Sequence, residues 1–515
     1  MPSPTLDLDC VDLPQCPPSL VKSTLIRQHR VLPLLKQAGK LYLATGDDLS
    51  DSSLKEICFH TGLKIQSFLV DKTKLQRCIE KLLDRESKKK AIENALDDIS
   101  RECSPLYTPN SPNSYLSSAE DAPLVKLING LLLDAIDAAA SDIHFEPYEN
   151  VYRVRFRIDG LLHQIIEPSI KLAGRLASRL KVMAQMDISE RRLPQDGRIK
   201  LRLSSSRFIE FRVNTLPTLW GEKVVLRIMD PLNTLLGIDA LGFEGSQKKL
   251  YLNALDKQQG LILVTGPTGS GKTISLYSAL QILNTNQRNI STAEDPVEIN
   301  FQGINQVSVS PKIGLDFANA MRAFLRQDPD IIMVGEIRDP KTAEIAIRAA
   351  QTGHLVLSTL HTNSAAASIT RLRSMGVPAF NIANSISLII AQRLARRLCN
   401  SCKESTEIPE KVLIAEGFSS SQIKNIRLFS ARGCEKCRDG YSGRIGFYEV
   451  VPITSALTRI IMDDGDAISL ADQARSEGCL SLRESVLLKV AKGVTSLEEA
   501  NRLTLVIIMC IHGIV

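Results

Sequence analysis

The chain has 515 residues, too many for one ordinary core, and its 44% hydrophobic and 23% charged content suits a folded globular protein. A net charge of +6 is modest at this length, and with one tryptophan and 5% aromatics no base-stacking surface is available, so no nucleic-acid partner is expected. Met1 to Asp12 lacks the basic start and apolar core of a secretory signal, and no run reaches the ~18–20 apolar residues of a membrane span.

A cytosolic protein is therefore expected, with its 11 cysteines as thiols or metal ligands. In chain order, residues 1–19, punctuated by Pro14, Pro17 and Pro18, read as an irregular N-terminus. Residues 20–83 read as a small α/β domain. Val31–Leu35 and Lys40–Ala44 suit strands, and Ser53–Thr61 and Lys72–Leu83 suit helices. Residues 84–122 combine a charged, solvated helix with a flexible linker, Ser104–Ala122, rich in Pro, Asn and Ser.

Residues 123–230 form a second domain. Leu124–Ala140 has helical spacing, Val151–Ile158 alternates as a strand, and Asp159-Gly160 marks a hairpin turn. Arg207–Val213 and Glu222–Ile228 are further strands. Arg153, Arg155 and Arg157 share one strand face, for which a solvated basic surface is the plain reading. Residues 231–505 alternate strand and helix signals as a parallel α/β sheet does. Residues 506–515 are an apolar tail, too short to span a bilayer as a helix.

Within the third domain, the buried-strand signal Leu261–Thr265 runs directly into Gly266-Pro267-Thr268-Gly269-Ser270-Gly271-Lys272-Thr273, and Ile274–Leu283 continues as a helix. This strand–loop–helix context is what a phosphate-binding P-loop requires. The glycines let backbone N–H groups surround phosphate oxygens at a positive helix end. Lys272 would reach the β- and γ-phosphates of ATP, and Thr273 would offer its hydroxyl to Mg²⁺. Glu336 follows a second strand, Ile331–Val334, and is a candidate for ordering Mg²⁺ or the attacking water; a solvated loop acid is the alternative. Thr292–Glu298 offers the carboxylates Glu294, Asp295 and Glu298 beside a proline turn. His354 and His361 bracket the strand Leu355–Leu360, and either is a candidate sensor of the γ-phosphate, with a structural role the alternative.

Two CxxC pairs, Cys399/Cys402 and Cys434/Cys437, have the spacing of a tetrahedral four-thiolate zinc site. Such a site leaves no open position, so structural zinc is expected; a redox dithiol or plain core thiols are the other readings. The remaining seven cysteines lack partners at ligand spacing.

The stretch Gly260–Cys399 resembles the type II/type IV secretion ATPase superfamily, and Leu325–Asp339 matches its signature without a gap. The resemblance implies an α/β architecture: a RecA-like P-loop motor domain with a zinc-binding insertion at about 398–440, preceded by a PAS-like N2 domain and a small N-terminal α/β domain. It assigns Thr292–Glu298 to the aspartate box, Glu336 to the Walker B glutamate, and His354 and His361 to the histidine box. It further implies that N2 arginines reach ATP, with Arg198 (in Pro194-Gln195-Asp196-Gly197-Arg198), Arg212 and Arg227 as the candidates.

A homo-hexamer at the inner face of the cytoplasmic membrane follows from the same resemblance, driven by Mg²⁺-ATP and acting on an inner-membrane platform protein, with membrane association indirect. Arg288–Asp295, Gly303–Val307 and Leu497–Thr504 look most like the pilus-assembly (extension) branch, and the four-cysteine insertion favours extension over retraction. Type II secretion ATPases and competence-type motors are the rivals. A nucleotide-regulated zinc adaptor without useful hydrolysis is the alternative from another class. Two departures stand out: a short N-terminal region without the Arg-Leu-Gly opening of relatives that bind cyclic di-GMP, and the apolar tail.

Overall fold

The computed structural model describes residues 21–80, 122–203, 208–229, 237–423 and 426–504, apart from positions 22, 38–39, 48, 50, 73 and 77. The expected irregular N-terminus, charged helix, linker and apolar tail lie outside the described residues, as do Cys10, Cys16, Cys103 and Cys510. The chain divides into two compact units. The first takes in everything up to Ile158 with Leu162–Ile199 and Phe211–Ile228; the second takes in Met229 onward with two short segments, Asp159–Leu161 and Lys200–Glu210.

In the first unit, β1 (Val31–Gln37) pairs antiparallel with β2 (Lys40–Thr45), which pairs parallel with β3 (Lys64–Leu69). Helices Ser23–His29 and Asp51–Thr61 and helical residues within 72–80 accompany this sheet. Its core is Leu25, Ile26, Val31, Leu32, Leu41, Leu43, Ile57 and Leu75. The strand β3 was not predicted. It is an edge strand with no fully buried residue, so its alternation is weakly expressed.

After the helix Ala122–Asp137 come β4 (Asp142–Pro147), β5 (Tyr152–Ile158), β6 (Leu161–Ile166), the helix Ala173–Met183, β7 (Gln195–Arg202), β8 (Phe208–Thr218) and β9 (Gly221–Met229). The strands form one sheet in the order β6-β5-β4-β9-β8-β7. The first helix ends three residues before the predicted Ala140, because Ala139 turns into the left-handed region (φ 51°). Apolar residues alternate along the strands: Val154 and Phe156 on β5, Ile209, Phe211 and Val213 on β8, and Val224 and Leu226 on β9 are buried.

Sequence pattern missed β4, since Asp142 and Glu146 occupy a central strand. Arginines on its neighbours make that burial tolerable. Arg155 Nε donates to Glu146 Oε2 at 2.7 Å, Lys223 Nζ lies 2.9 Å from Glu146 Oε1, and Arg227 Nε donates to Asp142 Oδ1 at 3.0 Å. Burial alone would raise the Glu146 carboxyl, but hydrogen bonds from Arg155 and Lys223 bring it down to about 2.

The second unit is built on β10 (Gly260–Thr265), β11 (Ile290–Glu294), β12 (Asn305–Ser308), β13 (Ile331–Val334), β14 (Leu355–Leu360), β15 (Ile386–Leu398) and, after the short strands β16 (Glu404–Thr406) and β17 (Leu428–Ser430), β18 (Tyr441–Pro452). The main sheet runs β12-β11-β13-β14-β10-β15-β18, parallel except for β18. Its central strands β10, β13 and β14 read as nearly unbroken apolar runs because both faces are covered. Leu261, Leu263, Ile332 and Val356 enter one core, and Ile262, Val264, Met333 and Leu357 the other. The C-terminal ends of β10, β11, β13 and β14 therefore share one edge, where ligands bind in parallel α/β sheets. No described helix is long and apolar enough to cross a membrane.

Candidate nucleotide and metal sites

Because β10 is buried at every residue, the chain leaving it must turn sharply at the sheet edge. Gly266 (φ 151°), Gly269 (φ 78°) and Gly271 (φ 86°) make that turn. A Cβ at Gly266 would lie 2.4 Å from the Gln392 carbonyl oxygen, and one at Gly271 would lie 2.9 Å from Gln392 Nε2, so neither position has room for a side chain. Gly271 then opens the helix Lys272–Leu283. Ser270 Oγ is buried inside the loop without a hydrogen-bond partner. The Lys272 ammonium is buried and donates to Gly266 O (2.8 Å) and Pro267 O (3.1 Å). Burial lowers its pKa, against the opposing charge of Glu336. Thr273 sits half-buried on the first helical turn.

Glu336 leaves the end of β13 and is held from two sides. Arg338 donates to Oε1, and His361 Nε2 lies 3.4 Å from Oε2. Arg338 also reaches Asp295 Oδ2 at 3.6 Å, so it bridges the acids that follow β11 and β13. Burial lowers the His361 pKa, the charge of Lys272 adds to this, and Glu336 opposes it. Glu294 is buried at the end of β11. Its Oε1 accepts from Thr292 Oγ1 (2.6 Å) and Gln306 Nε2 (3.2 Å), and its Oε2 accepts from Tyr277. The Glu298 backbone N–H donates to the same Tyr277 hydroxyl at 3.3 Å.

The two histidines do not converge within the chain. His361 follows β14 on the P-loop side, whereas His354 precedes it, roughly 23 Å away along seven residue steps of ~3.3 Å each. At that opposite edge, His354 O accepts from Gly260 N at the start of β10 (3.1 Å), and His354 Nδ1 lies 3.0 Å from Ala349 O. His354 therefore lies outside this chain's P-loop site. Asp330 also lies at that edge, where its Oδ2 accepts from Asn289 N at 2.6 Å.

In the first unit, Arg198 on β7, Arg212 on β8 and Arg227 on β9 occupy positions alternating with the buried Ile199, Val213 and Leu226. They share the polar sheet face with Arg153, Arg155 and Arg157. Arg227 is engaged by Asp142, and Arg157 Nε stands 3.7 Å from the same carboxylate.

Cys399 follows the end of β15, and Cys434 and Cys437 lie on the loop before β18. Together with Cys402 they bring four Sγ atoms within 4.8 Å of one another. The pairs Cys399–Cys434, Cys402–Cys437 and Cys434–Cys437 stand 3.8, 3.6 and 3.5 Å apart. Zn–S bonds of ~2.3 Å in a tetrahedron place sulfurs ~3.8 Å apart, so the four thiols fit a zinc ion. The segment they close lies between the end of β15 at Leu398 and the start of β18 at Tyr441. Its Leu413, Phe418 and Leu428 pack with Phe447, Val486 and Val490 in one core.

Sequence reasoning missed Arg338, Tyr277 and Gln392. The first was visible as a cation two residues beyond Glu336. Gln392 was visible as a lone amide within the apolar strand β15, where its Oε1 accepts from Ser275 Oγ at 2.7 Å.

Comparison with known proteins places these features in a family. Residues 117–502 match the model of the type II/IV secretion system protein family, and residues 1–89 match that of the MshEN domain. The type IV pilus assembly ATPase PilB of Pseudomonas aeruginosa is 56% identical over 500 residues, covering 97% of this chain and 88% of its own. The type II secretion system ATPase E of Vibrio cholerae is 46% identical over 390 residues, 76% of this chain and 77% of its own. Among solved structures, the pilus retraction motor PilT with bound ADP superimposes with a TM-score of 0.50 at 25% identity, covering 73% of this chain and 96% of its own. The ATPase DotB of Legionella pneumophila gives 0.55 at 21%, covering 77% and 97%, and shares the fold.

Proposed function

The chain belongs to the type II/IV secretion system protein family, and on that premise we propose how its residues perform the work of an ATPase motor in type IV pilus assembly. The observation that carries pilus assembly over secretion is the 56% identity to an assembly ATPase across 97% of the chain; the type II secretion ATPase of Vibrio cholerae matches over 76%.

ATP would be held by Gly266 to Thr273, its phosphates meeting the backbone N–H groups at the start of Lys272–Leu283 and drawing the Lys272 ammonium off its own loop carbonyls. Thr273 and Glu336 would hold Mg²⁺, which when bound neutralises charge on the phosphate oxygens. Glu336, between Arg338 and His361, is the group that would orient the attacking water. Asp295 and Glu298 border it. Arg198, Arg212 and Arg227 are the candidates for completing the phosphate's neutralisation, as guanidinium groups on one sheet face. Cys399, Cys402, Cys434 and Cys437 would hold a structural zinc with all four positions filled. The working form is a homo-hexamer on the cytoplasmic side, acting on a membrane-embedded platform protein.

The test is surface pilus display in cells carrying Lys272→Ala, with phosphate release measured on both purified proteins. Loss of pili with loss of turnover is expected. Normal pili in the variant would overturn the assembly role, and wild-type turnover no faster than the variant's would favour the zinc adaptor.

A further inference from the structure

Tyr277 lies in the helix that follows the P-loop, five residues beyond Lys272, and is buried. Its hydroxyl makes two contacts on the segment after β11. It donates to Glu294 Oε2 and accepts from the backbone N–H of Glu298, 3.3 Å away. Phe301 packs edge-on against its ring at 5.3 Å, which fixes the ring plane. Glu294, only 4% exposed, forms no salt bridge among the described residues. Its carboxylate is instead satisfied by three neutral donors: Tyr277, Thr292 and Gln306. A buried carboxylate held by a complete donor set and no cation is a fixed strut, not a base free to take a proton from water.

We infer that Tyr277 and Glu294 are a positioning pair: through this one hydroxyl, the P-loop helix sets where the acidic segment Glu294–Glu298 stands relative to Glu336. The backbone continues the connection. Gly335 N donates to Ala293 O at 2.8 Å, and a Cβ at Gly335 would lie 3.3 Å from that oxygen, so the chain carrying Glu336 is seated directly on the chain carrying Glu294. Asp295, next in sequence, meets the Arg338 guanidinium that also holds Glu336. Any shift of Glu294 moves Asp295 off Arg338, and Arg338 moves Glu336. Phosphate binding acts on Lys272 at the head of the helix that carries Tyr277. The pair therefore links the loop that binds phosphate to the acids that act on it. This inference rests on the reading of the P-loop as an ATPase site.

The experiment is steady-state Mg²⁺-ATP turnover by the full-length protein, with wild type against Lys272→Ala first. A difference there establishes the ATPase reading independently of the Tyr277 and Glu294 variants. Tyr277→Phe removes one oxygen and keeps the ring. It should lower kcat about 10-fold while KM for ATP and the affinity for a fluorescent ATP analogue change by less than about twofold, the pattern of an interaction felt only during reaction. Glu294→Gln removes the charge and one of the two acceptor oxygens that Tyr277, Thr292 and Gln306 share, and should lose a similar factor. The double variant should lose far less than the product of the two single losses, because each breaks the same contact. Unchanged kcat in Tyr277→Phe would overturn the inference, as would equal losses of turnover and nucleotide affinity. A loss above about 1,000-fold in Glu294→Gln alone would make Glu294 a group acting on the reacting atoms. Should Tyr277→Phe fail to fold, Thr292→Val, which removes a donor to the other carboxylate oxygen, carries the same test.

Discussion

Glu336 and His361 meet because β13 and β14 are neighbours that end on the same sheet edge, and the charge of Lys272 works on the imidazole there. The direction of the His361 shift makes a signed prediction. Its folded pKa lies below 6.5, so the folded protein binds that proton less readily than the unfolded chain. Its contribution to stability is thus intact above pH 6.5 and declines as pH falls toward the folded midpoint. In nucleotide-free protein, NMR titration of His361 should give a midpoint below 6.5. Lys272→Ala should raise that midpoint and Glu336→Gln should lower it further; the reverse order would mean the two charges do not act on the ring as placed. At this scale the octet Gly266–Thr273 and Glu336 were legible, because their chemistry sits in contiguous residues. Gln392, Tyr277 and Arg338 were not, since their roles come from contacts made by folding: Ser275 and Gln392 meet across 117 residues.

Among the elements, the convergence of the four cysteines was legible, because metal-ligand spacing is a local property. The unpredicted β4 shows the opposite limit. Its acids occupy positions that only the arginines of β5 and Lys223 and Arg227 of β9 make tolerable, and single-strand alternation cannot see a neighbour. The insertion's core continues into Val486, Val490 and Ala500 from the C-terminal helices, so an ion held there would stabilise a larger region than the loop it closes. Purified protein should carry one zinc per chain by elemental analysis. Cys434→Ser should lower the melting temperature by roughly 5 °C or more and open residues 400–440 to protease, while binding of ATP at the P-loop persists. Zinc-free protein with four titratable thiols and unchanged melting would refute the metal centre.

For the whole molecule, composition marks one expected boundary, the Pro-, Asn- and Ser-rich stretch before Ala122, which lies outside the described residues. Which arginines of the first unit serve a nucleotide was not readable, because Arg153, Arg155, Arg157, Arg198, Arg212 and Arg227 all obey the same alternation. Their partners do not single one out either: Arg155 is paired with Glu146, Arg227 with Asp142, and Arg198 too has a partner. Arg198→Ala should lower turnover about 100-fold with ATP affinity within about threefold, as for a guanidinium that acts on developing phosphoryl charge. Equal loss of both would make Arg198 a binding residue, and unchanged turnover would remove it from the site.

The long strand β15 has a mechanical consequence. One end of this 13-residue element runs beside β10, its Gln392 floors the phosphate loop, and its last residue adjoins Cys399. β18 is bonded along nearly its full length, from Leu388↔Pro452 to Leu398↔Tyr441. Two strands laced together in this way behave as a beam, stiff against stretching and compression along the chain. Seven residues separate Gln392 from Cys399, roughly 23 Å at ~3.3 Å each. The pairing is broken only by an irregularity between Arg396 and Leu398, just before the cysteines. The four-cysteine knot thus stands at the far end of this beam from the phosphate loop.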